Sequence, residues 1–505
     1  MKKLSLVLFL NIFCSTVFFS QNVKIYYSEK NKTKFDKYNL IGSNSEYSYG
    51  LKYKNTQFMN QIKSLYIEQY LNNGLILKNT AEIEIPKIDD RKCFYEKVLM
   101  INNRLVFFVT SYSMKNNTTY TYACLLKEDG NLDGEFKLID EAVDPSSLKY
   151  NVVHIKPSYD NKKIIIYHIV GAWKDNRDNY DFKIFDDKLN LLNKQQFDVV
   201  HKKDNITLLD VTYSPNNYLY VIAHSKDEKD NDEADLEYRL YEYDFNSNKL
   251  NSVIVNNNDK YLFNPTIKFT LDNKVVIASM FTDKKKTTLQ KVFSIDESYM
   301  VEGVQLVIYS QSDLKREKYE ERFMKNIANV DYVYNYELKD IIIKSNTDIS
   351  FIMEYYGYKI ERNSGVTYSQ FYFNEILISN FSNELNRNWN KFVFKKQTLM
   401  GSDKNFGSLL TFCKNDELNI VFNEINEFHN LKGEELIKRK NVFSSLENSA
   451  VVLTSIDALG NMNSRKIADN MGSYSKFNNK VMLSNLPNQC IAFSNKDRIS
   501  FLKFE

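Results

Sequence analysis

The sequence predicts an all-β protein, a single β-propeller of four-stranded meander blades. Three observations carry the prediction. A hairpin turn built from Asn, Asp or Ser recurs along the chain; the strand after each turn is apolar on both faces; and Tyr (35) and Phe (34) are abundant while Gly (14) and Pro (6) are scarce. Aromatic residues favour pleated sheets, and few Gly and Pro leave no room for a flexible linker between separate cores.

Eight copies of the turn are present, at residues 42–45, 101–104, 159–162, 214–217, 271–274, 345–348, 414–417 and 486–489. Asn and Asp tolerate the left-handed backbone angles that tight hairpins demand. The following strands include 105–110, 164–170, 219–224, 275–281, 349–355 and 418–422. A strand with one wet face alternates, so a run such as Ile164-Ile165-Ile166-Tyr167 requires burial on both sides. Third and fourth strands follow, as at 180–185 with 191–199 and at 236–245 with 250–255.

Four-stranded units covered on both faces must stack on like neighbours, and a closed ring removes the exposed ends. Eight blades are favoured, with seven as the alternative if a terminal unit is irregular. Residues 480–504 supply about three strands, and 23–27 form an isolated apolar strand that would complete the last blade. The segment 312–326 departs from the pattern. Leu314, Tyr319, Phe323 and Met324 alternate with charges there, which predicts a short amphipathic helical insertion on the rim.

Residues 1–20 read as a signal peptide: Lys2 and Lys3 precede the apolar run 4–10, and Ser20 precedes Gln21. The apolar stretch is too short for a membrane span of roughly 20 residues. Export is therefore expected, to the periplasm or the cell surface, with 21–505 as one propeller domain. The net charge of +3 gives no electrostatic footprint for nucleic acid. Cys93, Cys124, Cys413 and Cys490 lie in or beside apolar strands at irregular spacing, which favours free buried thiols over disulfides.

Sharp chemical motifs are missing. No Gly-x-Ser-x-Gly, P-loop, dinucleotide fingerprint, CxxC or HExxH occurs, so neither a cofactor nor a metal is expected. His168 and His224 hold comparable places in neighbouring second strands and would have to converge to act as ligands or as acid and base; isolated packed side chains are favoured. The carboxylate-dense loop 227–235 lacks the glycine and closing glutamate of an EF-hand and reads as a solvated hairpin tip.

Over roughly residues 265–505, Glu354-Tyr355-Tyr356, the segment Trp389 to Gln397, the strand end Val421-Phe422-Asn423 and the turn Asp457-Ala458-Leu459-Gly460 resemble a group of uncharacterised propeller proteins. Those proteins bear signal peptides and come from Gram-negative bacteria. The shared pattern is a Trp, an apolar pair and then Lys-x-Gln. The resemblance implies fold and location and supplies no activity. It singles out Glu354, Tyr355, Tyr356, Trp389, Lys395, Gln397 and Asn423 as candidate binding residues. The expectation is an exported, non-catalytic binding or scaffolding propeller whose partner is a protein or glycan of the cell envelope. The alternative is a propeller-type glycan-active hydrolase or lyase.

Overall fold

A computed structural model of the chain describes residues 25–27, 31–32, 37–55, 62–73, 76–143, 153–171, 177–200, 206–225, 237–255, 260–283, 300–328, 333–363, 366–400, 407–425, 449–469, 476–482, 489–495 and 498–504. The segment 1–20 expected to be a signal peptide and the acidic loop 227–235 lie outside the described residues.

The recurrent turns fold as anticipated. Asn102 and Asn103, Asn161, Asn217, Asn273, and Asn415 with Asp416 all take positive φ at the first hairpin of their units. These residue types carry the least penalty for that conformation among non-glycine residues. The eighth turn, near 486–489, falls mostly outside the described residues. It joins Lys476–Met482 to Gln489–Asn495.

Each unit is an antiparallel meander of four strands. Blade 1 holds Lys37–Ser43, Tyr47–Asn55, Ile62–Leu71 and Ile76–Ile83; blade 2 holds Phe94–Ile101, Arg104–Ser113, Thr118–Leu126 and Lys137–Val143. Blade 3 holds His154–Pro157, Ile164–Gly171, Arg177–Phe185 and Leu191–Val200; blade 4 holds Ile206–Tyr213, Tyr218–Ser225, Glu237–Asp244 and Lys249–Ile254. Blade 5 holds Lys260–Phe269, Val275–Asp283, Gly303–Tyr309 and Arg316–Phe323. Blade 6 holds Tyr336–Ile343, Ile349–Asn363, Val366–Phe381 and Arg387–Val393, with Gln397–Met400 added beside its third strand; blade 7 holds Leu409–Lys414, Glu417–Ile425, Ser449–Ile456 and Met462–Asp469.

Those seven sheets are built from consecutive segments, and an eighth is assembled from both ends of the chain. Lys476–Met482, Gln489–Asn495 and Arg498–Phe504 form three strands, and Ile25–Tyr27 adds the fourth, pairing Ile25 with Phe504 and Tyr27 with Leu502. The closure expected from the sequence is thus present in the backbone pairing.

The core lies between blades. Leu105, Phe107 and Val109 of blade 2 pack on Leu51, Leu65 and Ile67 of blade 1, while Val106 and Phe108 of the same strand pack on Ile155, Ile164 and Ile166 of blade 3. Ile165 and Tyr167 then face Val211 and Leu219 of blade 4. The same arrangement links blades 4 and 5, 5 and 6, and 6 and 7. Alternation along a strand sends successive side chains to opposite faces, so a strand apolar throughout serves two neighbours.

One expectation is corrected. The helix anticipated over 312–326 is a strand, Arg316–Phe323, followed by a single helical turn, Met324–Ala328. Tyr319 and Phe323 are four residues apart, a spacing that suits one face of a helix and one face of a strand equally. The segment pairs with Gly303–Tyr309 as the fourth strand of its blade, which explains its many charged side chains. Cys93 and Cys124 are free and buried and Cys413 is free and half-buried; the side chain of Cys490 lies outside the description.

Replacing Tyr26 by Pro fixes φ and removes the backbone N–H at the middle residue of the strand that joins the two chain ends. The expected outcome is a lower thermal midpoint for the whole protein, in one transition, followed by circular dichroism. An unchanged midpoint would mean that this strand does not hold the ring.

Candidate functional site

The residues singled out by resemblance divide between the two rims of the ring. In a meander, the first and third turns of every blade share one rim, and the second turn and the link to the next blade share the other. Trp389 stands near the third turn of blade 6. Its indole N–H donates to the Ala458 carbonyl of blade 7 at 3.0 Å, and the Lys344 ammonium sits 5.6 Å from its ring centroid. Gly460 takes φ +83°, and a Cβ there would come within 2.8 Å of the Trp389 ring. Trp389 therefore docks onto the Asp457–Gly460 turn, the other piece of the recognised pattern.

Glu354, Lys395, Gln397 and Asn423 converge at the opposite rim. Glu354 and Lys395, both 0 % exposed at the side chain, form an ion pair. Glu354 also accepts from the Ser408 hydroxyl and lies 3.3 Å from the Lys339 ammonium. Lys395 donates to Gln397 Oε1 at 3.0 Å and to the Ser408 carbonyl at 3.3 Å, while the Gln397 amide donates to the Asn423 carbonyl. Burial pulls the Lys395 ammonium below its ordinary pKa against the opposing pull of Glu354. For Lys339 burial also acts downward, but Glu354 and Glu337 outweigh it and raise the ammonium. Tyr355 meets Tyr336 edge-on at 6.0 Å, and Tyr356 lies 5.2 Å from Phe373. The network ties the link between blades 6 and 7 to both sheets. Glu354 and Lys395 are closed to solvent and already partnered within the chain, while Lys339 is partly exposed.

A second constellation was not anticipated. Asp140 from the fourth strand of blade 2 meets His168 and Asp181 from the second and third strands of blade 3, at the floor of an inter-blade cleft of about 420 Å³. Asp140, His168 and Asp181 are 2 %, 4 % and 3 % exposed. His168 Nδ1 stands 2.8 Å from Asp140 Oδ2, and the Lys183 ammonium lies 2.5 Å from Asp140 Oδ1 and 3.5 Å from Asp181 Oδ2. Burial alone would raise the Asp140 carboxyl, but His168 and Lys183 overcome it and hold the group below the usual carboxylate range. The walls include Leu138, Val143 and Val170, all exposed, with Glu141, Lys194 and Gln196. The one sequence signal was a charged residue inside each apolar run; the partner strand belongs to another blade, and no spacing reveals it.

His168 and His224 do not converge. His168 shares a strand face with Ile164 and Ile166, which pack toward blade 2, whereas His224 shares one with Tyr220 and Ile222, which pack toward blade 5.

A propeller with an inter-blade cleft is the class that the fold and site define. No family model and no curated protein matches the chain. Among solved structures, the chain is similar to the β-propeller domain of the trilobed protease from Pyrococcus furiosus, at 10 % identity and a TM-score of 0.37, covering 88 % of this chain and 98 % of that one. It is similar also to the WD40 domain of SCAP from fission yeast, at 10 % identity and 0.39, covering 96 % and 99 %. The polysaccharide lyase PL25, an ulvan lyase bound to a sugar, gives 9 % identity and 0.41, covering 88 % and 95 %. At these scores the fold assignment rests on the sheets described above, and no activity follows from the likeness.

Two outcomes are expected. Lys395→Met, which leaves the buried Glu354 carboxylate only Lys339 and Ser408 as partners, should cost about 1–3 kcal/mol in denaturant unfolding, and no measurable effect would contradict the buried pairing. Burial pushes the Asp178 carboxyl up to about 6. The folded state then binds more protons than the unfolded chain between about pH 4 and 6, so this group's contribution to stability falls as pH rises through that window. Carboxyl NMR should place the Asp178 midpoint near pH 6, and Asp178→Asn should remove that part of the slope.

Proposed function

We propose that the protein is an exported, non-catalytic binding propeller of the cell envelope, and that the cleft between blades 2 and 3 takes part in holding its protein or glycan ligand. The observation that carries this reading is the state of Asp140. A two-carboxylate glycosidase needs one carboxyl protonated near neutral pH to donate to the leaving group. Asp140 is held on the ionised side by His168 and Lys183. Asp178, whose carboxyl is pushed up to about 6, is three positions from Asp181 on the same strand and so projects from the opposite face.

The apolar walls Leu138, Val143 and Val170 above a polar floor suit retention of a ligand by contact area and a few hydrogen bonds. The recognised residues support the same reading, since Glu354, Lys395, Gln397 and Trp389 act as fastenings between blades.

Purified protein applied to an envelope-glycan array and to candidate envelope proteins should show saturable binding without turnover. Product formation abolished by Asp140→Asn or Asp181→Asn would replace the binding reading with the glycan-active one. Export is tested separately: mass spectrometry of the mature protein should find Gln21 or a near neighbour at the N-terminus, and an intact Met1 would contradict it.

A further inference from the structure

At the floor of the cleft the buried Asp181 Oδ1 has no hydrogen-bond partner among the described residues, and Asp140 Oδ2 and His168 Nδ1, 2.8 Å apart, have no partner there besides each other. One ligand atom from each of Asp140, His168 and Asp181 lies within 4.8 Å of the other two. An orphaned buried polar atom costs about 1–3 kcal/mol, so Asp181 Oδ1 beside a buried carboxylate–imidazole pair calls for a partner. The two remaining carboxylate oxygens are engaged. Lys183 takes Asp140 Oδ1 and Asp181 Oδ2. His168 Nδ1 and Asp140 Oδ2 stand 2.8 Å apart, close enough to pair directly when that nitrogen carries the proton and to share an ion when it does not. That separation is close to the about 3 Å between neighbouring ligands on one ion at bond lengths near 2.1 Å.

We propose that Asp140 Oδ2, His168 Nδ1 and Asp181 Oδ1 hold a divalent first-row transition cation, of the Zn²⁺ or Mn²⁺ kind, at the floor of the inter-blade cleft. One imidazole nitrogen with two carboxylate oxygens suits these ions, whereas Mg²⁺ and Ca²⁺ prefer oxygen alone. With no two of the ligand atoms more than 4.8 Å apart, small side-chain rotations bring all three within bonding reach of one ion. Lys183 orients both carboxylates from behind, as outer partners of metal ligands do. Because Asp140 comes from blade 2 and the other two from blade 3, the ion fastens the blades together. Its remaining coordination positions face the cleft, where water or a ligand oxygen completes the shell. The proposal stands on these three atoms and does not rest on the binding reading above.

The test uses the full mature chain, stripped with chelator and titrated with Zn²⁺, Mn²⁺ or Co²⁺ alone. Calorimetry should find one saturable site, and the thermal midpoint should rise with metal concentration. His168→Gln and Asp181→Asn, each checked for folding by circular dichroism, should weaken binding at least about 100-fold. Pulsed EPR of the Mn²⁺-loaded wild type should show coupling to one imidazole ¹⁴N, a readout that needs no variant. Absence of saturable binding up to about 1 mM for all three ions, equal affinity in the folded variants, or no ¹⁴N coupling would each overturn the proposal.

Discussion

Everything in this molecule depends on covering sheets that are apolar on both faces. A meander such as blade 3 cannot leave Ile164 and Ile166, or Ile165 and Tyr167 behind them, in water, so it needs a neighbour on each side. Burying such side chains contributes about 1.5–3 kcal/mol each, and the demand passes from blade to blade until the last sheet meets the first. The composite sheet of Ile25–Tyr27 with the three C-terminal strands meets that demand with backbone pairing.

The same constraint governs the polar residues. A charge placed between blades loses its water and has to find a partner in the chain. Lys52 pairs with Glu68, which also accepts from the Tyr70 hydroxyl; Glu242 accepts from Tyr220 at 2.7 Å and from Asn251 at 3.1 Å; Glu354 is met by Lys395, Lys339 and Ser408. Such pairs add little net stability compared with apolar contacts, but each fixes the register of one strand against the next, since removing one partner strands the other. Against that background Asp140, His168 and Asp181 stand out for gathering an imidazole and two carboxylates at one point between two blades.

Much of the fold was legible because its signals are local. Asn102, Asn161, Asn217 and Asn273 mark hairpins through their own backbone preferences, and a run such as Ile164 to Tyr167 announces two covered faces without reference to anything distant. The misreading of 316–323 arose where local signals coincide, since Tyr319 and Phe323 satisfy both periodicities. The site was less legible. Resemblance drew out Trp389 and the Asp457–Gly460 turn, which the fold joins, and Glu354, Lys395 and Gln397, which it gathers into one network. Asp140 and His168 could not be paired in advance, because their proximity follows from which blade stacks on which and not from any spacing along the chain.

The central claim is that the blades form one closed, mutually supporting ring. Native-state hydrogen exchange addresses it most directly, through amides in second strands of blades that do not touch, such as Phe107 in blade 2, Val221 in blade 4 and Ile352 in blade 6. The account predicts that these amides share one opening free energy, equal to that of global unfolding. A staircase of distinct values, with separate blades opening alone, would contradict it.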